Sequence, residues 1–186
     1  TRQTDDIRRI VDEFSKFARM PELRRKNEDL SALVESAVSL QQVGQPNVSI
    51  NLSQPKLPIV TSIDATLINQ ALTNILKNAG ESIETRMQDP SASKQDGVIE
   101  VLLKNEPDIV VLNIVDNGVG LPQDRSRLFE PYVTTRDKGT GLGLAIVKKI
   151  IEEHGGVLKL EDSLPFENTG IIGALISIEL PKSKNL

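Results

Sequence analysis

The chain has 186 residues, 38% of them hydrophobic but only 3% aromatic, and a formal charge of -4 at pH 7. With no cysteine and one histidine it can form neither disulfides nor thiolate metal sites, and histidine leaves little for a zinc site. The acidic balance argues against a nucleic-acid binder, and no apolar run approaches the roughly 20 residues that span a bilayer, so a cytoplasmic domain with an aliphatic core is expected.

Residues 1–20 place Ile7, Ile10, Val11, Phe14, Phe17 and Ala18 at steps of three and four, the stripe of an amphipathic helix that Pro21 ends. Its seam has no evident partner nearby in sequence, as expected of one arm of a bundle. "PELRRKNEDL" reads as a polar linker. "DLSALVESAVSLQQ" follows as a helix with Leu33, Val34, Ala37, Val38 and Gln41 on one side. "NVSINLS" and "PIVTSI" alternate as short strands. From Asp64, an N-cap residue, the period becomes 3.6: Leu67, Ile68, Ala71, Leu72, Ile75, Leu76, Ala79 and Ile83 mark a long helix. "GVIEVLLKN" and "DIVVLNIVDNG" are strands joined by the turn "NEPD". A loop over 121–140 leads to a helix over about 141–154, and "GVLKLED" and "GALISIELP" finish as strands. Without regular βαβ alternation, the pattern favours an α/β sandwich with helices on one sheet face.

Three stretches carry chemistry. "GTGLGLA" opens a helix, where exposed backbone N–H groups can donate to phosphate oxygens; alone, it could equally be a flexible connector. The polar "YVTTRDK" before it does not suit a dinucleotide fingerprint, which follows directly on a strand. Asp116 ends an apolar strand and is followed by Gly118 and Gly120, so a carboxylate could accept from an exocyclic amino group while a flat base approaches the backbone. An ordinary Asp-Asn-Gly turn reads the same way. Asn74 and Asn78 share a helix face beside Lys77, amid apolar residues, and amide oxygens are hard neutral ligands suited to Mg²⁺.

Taken together, "NQALTNILKNA", "DNGVGL", "LFEPYVTT" and "GTGLGLAIVKKIIEEHGG" resemble the N, G1, F and G2 boxes of bacterial sensor histidine kinases, over about residues 64–180. "DEFSKFARMPE" further resembles the second helix of the dimerisation bundle in nitrogen-regulation kinases of the NtrY type. The resemblance implies a two-layer Bergerat-type ATP-binding sandwich, a mixed sheet with helices on one face, over residues 23–186. Residues 1–22 would then be one dimerisation-bundle helix. It implies Asn78 as the Mg²⁺ ligand with Asn74 supporting it, Asp116 as the reader of the adenine amino group, and Gly118 and Gly120 as the shape of the base pocket. Thr134, Thr135, Arg136 and Lys138 would lie in a lid over 129–138 near the phosphates. Gly139, Thr140, Gly141, Leu142 and Gly143 would hold the phosphates, with Lys77 alongside. Implied ligands are ATP, ADP and Mg²⁺; implied partners are a response regulator receiver domain and a second copy through the bundle, in a parent that can be anchored in the inner membrane.

Some positions depart from the family pattern. Glu81 and Ser82 stand three and four residues after Asn78, where many sensor kinases have a basic and an aromatic residue, and Ala174 replaces a frequent threonine. Asn74 stands where gyrase-like ATPases carry the glutamate that activates water, and an amide cannot take that proton. Phosphoryl transfer to a histidine is therefore favoured over hydrolysis by a Bergerat ATPase, and a nucleotide-sensing scaffold stays as the non-enzyme alternative. The acceptor histidine's motif is not in this chain, and His154, before "GG", is expected to cap its helix with a partly protonated ring while Gly155 turns left-handed.

Overall fold

The structure, a computed structural model, describes residues 22–91, 96–133, 140–166 and 170–182. The expected amphipathic helix over 1–20 lies outside them, as do Thr134, Thr135, Arg136, Lys138 and Gly139. In chain order the elements are β1 (Lys26–Asp29), α1 (Leu30–Gly44), β2 (Val48–Ser53), β3 (Val60–Ile63), α2 (Ala65–Gln88), β4 (Gly97–Asn105) and β5 (Ile109–Asp116). A 3-10 turn (Ser126–Phe129), α3 (Gly143–Glu153), β6 (Val157–Asp162) and β7 (Ala174–Pro181) follow.

Five strands form one mixed sheet in the order β2-β4-β5-β7-β6, with β2 parallel to β4 and the other pairs antiparallel. In β5 the even-numbered residues Val110, Leu112 and Ile114 are buried, while Ile109, Val111, Asn113 and Val115 are half-exposed. Side chains alternate across a strand, so one sheet face is covered and the other meets solvent. The covered face packs under the helices. Leu67, Ile68, Ala71, Leu72, Ile75, Leu76, Ala79 and Ile83, the stripe expected from periodicity, are all buried along α2, and α3 contributes Ile146, Val147, Ile150 and Ile151. Full burial of an aliphatic side chain such as Ile75 stabilises the fold by about 1.5–3 kcal/mol. Helices over one face of a mixed sheet are the architecture the sequence led us to expect.

Helix starts follow capping chemistry. Asp29 accepts from the N–H groups of Ser31 and Ala32 at the head of α1, and Asp64 from those of Thr66 and Leu67 at the head of α2. Each satisfies N–H groups that have no partner within the helix. The tail of α3 closes with the Gly156 N–H on the Ile151 carbonyl and the Gly155 N–H on the Glu152 carbonyl, both at 2.9 Å, with Gly155 at φ 74° as expected.

Two boundaries differ from the sequence reading. The linker "PELRRKNEDL" contains β1, which pairs antiparallel with β3 from Lys26↔Ile63 to Asp29↔Val60. Its polar residues carry no alternating pattern because β1 itself has no buried residue, and the pairing partner is more than 30 residues away along the chain. The helix expected from 141 starts at Gly143, because Gly141, at φ 67°, is still turning the chain.

Candidate functional site

Three of these elements meet where the phosphate and base chemistry was expected. Asn74 and Asn78 are half-buried on successive turns of α2, while Lys77 is exposed and 3.8 Å from Glu81. The Asn78 amide nitrogen lies 3.7 Å from where a Cβ would stand on Gly143, the first residue of α3. A residue expected to hold a metal and one expected to hold phosphates, 65 positions apart in sequence, are thus neighbours.

The head of α3 differs from the other two. Among the described residues no side chain caps it, whereas Asp29 and Asp64 cap the heads of α1 and α2. Leu142, fully buried, anchors the turn into the core. Gly141 must be glycine on two counts: its φ is positive, and a Cβ would overlap the Tyr132 backbone. The Tyr132 N–H donates to the Gly141 carbonyl at 3.1 Å, and Tyr132 itself adopts φ 69°. Thr140 is half-buried just before this turn. The 3-10 turn packs near the same helix, with the Lys148 ammonium 5.0 Å from the centre of the Phe129 ring, a cation–π contact.

On the base side, Asp116 is buried at the end of β5, and its Oδ1 accepts from the Gly118 N–H at 2.9 Å. Gly118 is needed for close approach rather than for conformation, since a Cβ there would overlap the Ser82 hydroxyl. Ser82 Oγ accepts from the Val119 N–H at 3.1 Å. The serine that departs from the family pattern therefore holds the turn against α2. Gly120 follows at φ 75° beside the Ile172 carbonyl, and Ala174 is buried at the start of β7. Asn117, to which the sequence reading gave no role, is 2% exposed and bonded to the start of β4. Nothing in "VDNGVG" distinguishes that amide from a turn amide.

His154 caps α3 as expected, but its ring is neutral rather than partly protonated. It is 2% exposed, Nδ1 lies 2.7 Å from the Ile150 carbonyl, and Nε2 accepts the Asp64 N–H at 2.9 Å. Accepting that bond requires a lone pair on Nε2, so Nδ1 carries the proton. Burial first, then the positive charge of Arg25, lowers its pKa below 6.5, while the Ile150 bond and the charges of Asp64 and Glu153 act the other way. Asp64 is itself held below 3.8: burial works against its charge, but bonds from the N–H groups of Arg24, Leu67 and Thr66, with His154 nearby, outweigh it. Arg25 reaches across to the Glu153 carbonyl. This polar junction ties the chain entering the domain to the head of α2 and the tail of α3, far from the phosphate end.

Among the described residues no three His, Cys, Asp or Glu side chains gather as a metal site, and no helix is long and apolar enough to cross a membrane.

The family described as histidine kinase-, DNA gyrase B-, and HSP90-like ATPase matches residues 63–184. The nitrogen regulation protein NtrY of Azorhizobium caulinodans is 47% identical over 184 residues, 98% of this chain and 23% of that protein. The chain spans under a third of the length of such curated relatives. A mycobacterial sensor histidine kinase, MprB, superposes with a TM-score of 0.70 at 26% identity, covering 87% of this chain and 100% of that one. Histidine kinase ThkA, solved in complex with the response regulator protein TrrA, shares the fold with a TM-score of 0.74 at 24% identity, over 98% of this chain and 49% of that one.

Proposed function

We propose, for a chain that belongs to the histidine kinase-, DNA gyrase B- and HSP90-like ATPase family, that it binds Mg-ATP and hands the γ-phosphoryl group to a histidine outside this sequence. It is the ATP-binding catalytic domain of a sensor histidine kinase. The observation that carries the reading is the head of α3, without a side-chain cap, beside the Asn78 amide. N–H groups at a helix start favour anions.

In this reading Gly141, Leu142 and Gly143, with Gly139 and Thr140, hold phosphate oxygens through backbone donors. The Asn78 amide oxygen, seconded by Asn74, suits Mg²⁺, which also takes phosphate oxygens and water. Bound there, the ion would neutralise charge developing on the phosphates. Lys77 supplies positive charge at the rim, and Thr134, Thr135, Arg136 and Lys138 complete the phosphate end. Asp116 accepts from the adenine amino group, with Gly118 and Gly120 giving the base a flat approach. Transfer breaks the bond from the γ-phosphorus to the bridging oxygen, which leaves with ADP, and forms a bond to the acceptor histidine's nitrogen. Positioning and charge neutralisation account for most of such catalysis. With Asn74 where a water-activating glutamate would stand, hydrolysis lacks its base.

Residues 1–22 are read as the second helix of a dimerisation bundle and 23–186 as the catalytic domain, in a parent that dimerises through that bundle, passes the phosphoryl group to a response regulator and can be anchored in the inner membrane. Likeness to a nitrogen regulation protein supports a signalling role of that kind. Calorimetry with Mg-ATP and Mg-GTP tests the site. Asn78→Ala is expected to weaken Mg-dependent ATP binding about tenfold or more, and Asp116→Asn to lose the preference for adenine. Unchanged affinity and selectivity in both variants would sink the assignment. Phosphoryl transfer to a separately supplied bundle that bears the acceptor histidine tests the reaction, and its absence alongside steady ATP hydrolysis would favour an ATPase instead.

A further inference from the structure

The β4–β5 ladder ends at Ile99↔Asp116, yet the two strands remain joined one step further. Asn117 Oδ1 accepts the Val98 N–H at 2.9 Å, its Nδ2 donates to the Asp96 carbonyl at 2.9 Å, and its own N–H donates to the Val98 carbonyl at 3.2 Å. A side-chain amide carries a carbonyl acceptor beside an N–H donor, so it can present the same pair of groups as a peptide. Asn117 therefore prolongs the sheet with its side chain where the backbone leaves it. On the other side, a Cβ on Gly173 would overlap the Asp116 carbonyl, and the Gly173 N–H is held by Ser163 Oγ at 2.8 Å. Below, Ser82 Oγ receives the Val119 N–H. The residue after Asp116 thus fixes it to the start of β4, while Gly173, just before β7, and Ser82 on α2 close in from the other sides.

Such bracing has a chemical use. A carboxylate that selects one base by one hydrogen bond must meet the amino group within a few tenths of an ångström and in line, because the bond weakens steeply with misalignment. Phosphate binding, shared among several backbone donors and an ion, tolerates small shifts of the β5 end. Base selection does not.

We propose that Asn117 is a positioning residue for nucleobase selection, holding the end of β5 so that Asp116 meets the adenine amino group. The proposal rests on Asp116 reading that group. It is tested by measuring the affinity of the 186-residue chain for Mg-ATP and for the Mg complex of purine riboside triphosphate, which lacks the 6-amino group. The unsubstituted chain is expected to prefer ATP about tenfold. In Asn117→Ala, with folding checked by circular dichroism, ATP binding falls about tenfold while binding of the analogue changes less than twofold, so the ratio approaches one. A merely structural role would weaken both nucleotides together and keep the ratio, which overturns the proposal. If Asn117→Ala does not fold, Asn117→Ser decides: its hydroxyl can keep one of the two side-chain bonds, so an intermediate ratio is expected, and an unchanged ratio overturns the proposal. A ratio of one already in the unsubstituted chain would instead reject Asp116 as the base reader, and this inference with it.

Discussion

Replacing His154 by alanine removes a ring that joins two helices, and the structure sets the cost. The Asp64 N–H loses its 2.9 Å acceptor inside a half-buried junction, and an unsatisfied donor costs about 1–3 kcal/mol. The bond to the Ile150 carbonyl is also lost, worth about 1 kcal/mol, although that carbonyl still accepts the His154 backbone N–H at 3.2 Å. A ring only 2% exposed leaves a cavity behind, adding about 1–2 kcal/mol. The sum is about 4 kcal/mol, read as a lower urea midpoint at unchanged slope. The pH dependence is the sharper signature. Because the folded pKa lies below 6.5, the unfolded chain binds the proton more readily. The contribution is fully present above pH 6.5 and is lost as pH falls through the lower folded value. His154→Ala and His154→Gln should both flatten stability over that window. A cost under about 1 kcal/mol, or an acid slope identical in all three proteins, would refute the neutral bridging ring.

Other outcomes follow from the same geometry. Asp29→Ala removes the cap of α1 and should lower stability by about 1 kcal/mol without affecting nucleotide affinity, checked by urea unfolding and calorimetry. Gly118→Ala must displace Ser82 and should weaken ATP binding more than it lowers the melting temperature; the reverse order would make Gly118 merely structural. Removal of residues 1–20 should leave ATP affinity nearly unchanged, since the boxes begin at about residue 64, and calorimetry on the truncated chain checks it. Incubation with γ-labelled ATP should leave no acid-labile label on this chain, because α3 spans about 16 Å between its phosphate end and His154.

Periodicity made the helices and the buried strands legible: the stripe from Leu67 to Ile83 could face only one way. Asp64 was legible as a cap because its chemistry is local, two and three residues away. What sequence reading missed was tertiary in origin. β1 forms because β3 lies beside it, and Asn117 is buried because β4 begins at the same height. The ring state of His154 depends on an N–H 90 residues away. Ser82 looked like a lost aromatic, yet its small size is what lets Gly118 come so close.

The two site helices are registered against each other at both ends: α3 begins beside Asn78 and stops where His154 meets Asp64. A helix bonded to its neighbour at the tail and packed against it at the head can tilt or bow, but it cannot slide by a turn without breaking the tail bond. A tilt of α3 as a whole therefore reaches its tail as a change of angle, and there the Arg24 N–H is bonded to the Asp64 carboxylate and the Arg25 guanidinium to the last carbonyl of α3. The stretch of chain that enters the domain is held by the same knot that keeps the two helices in step.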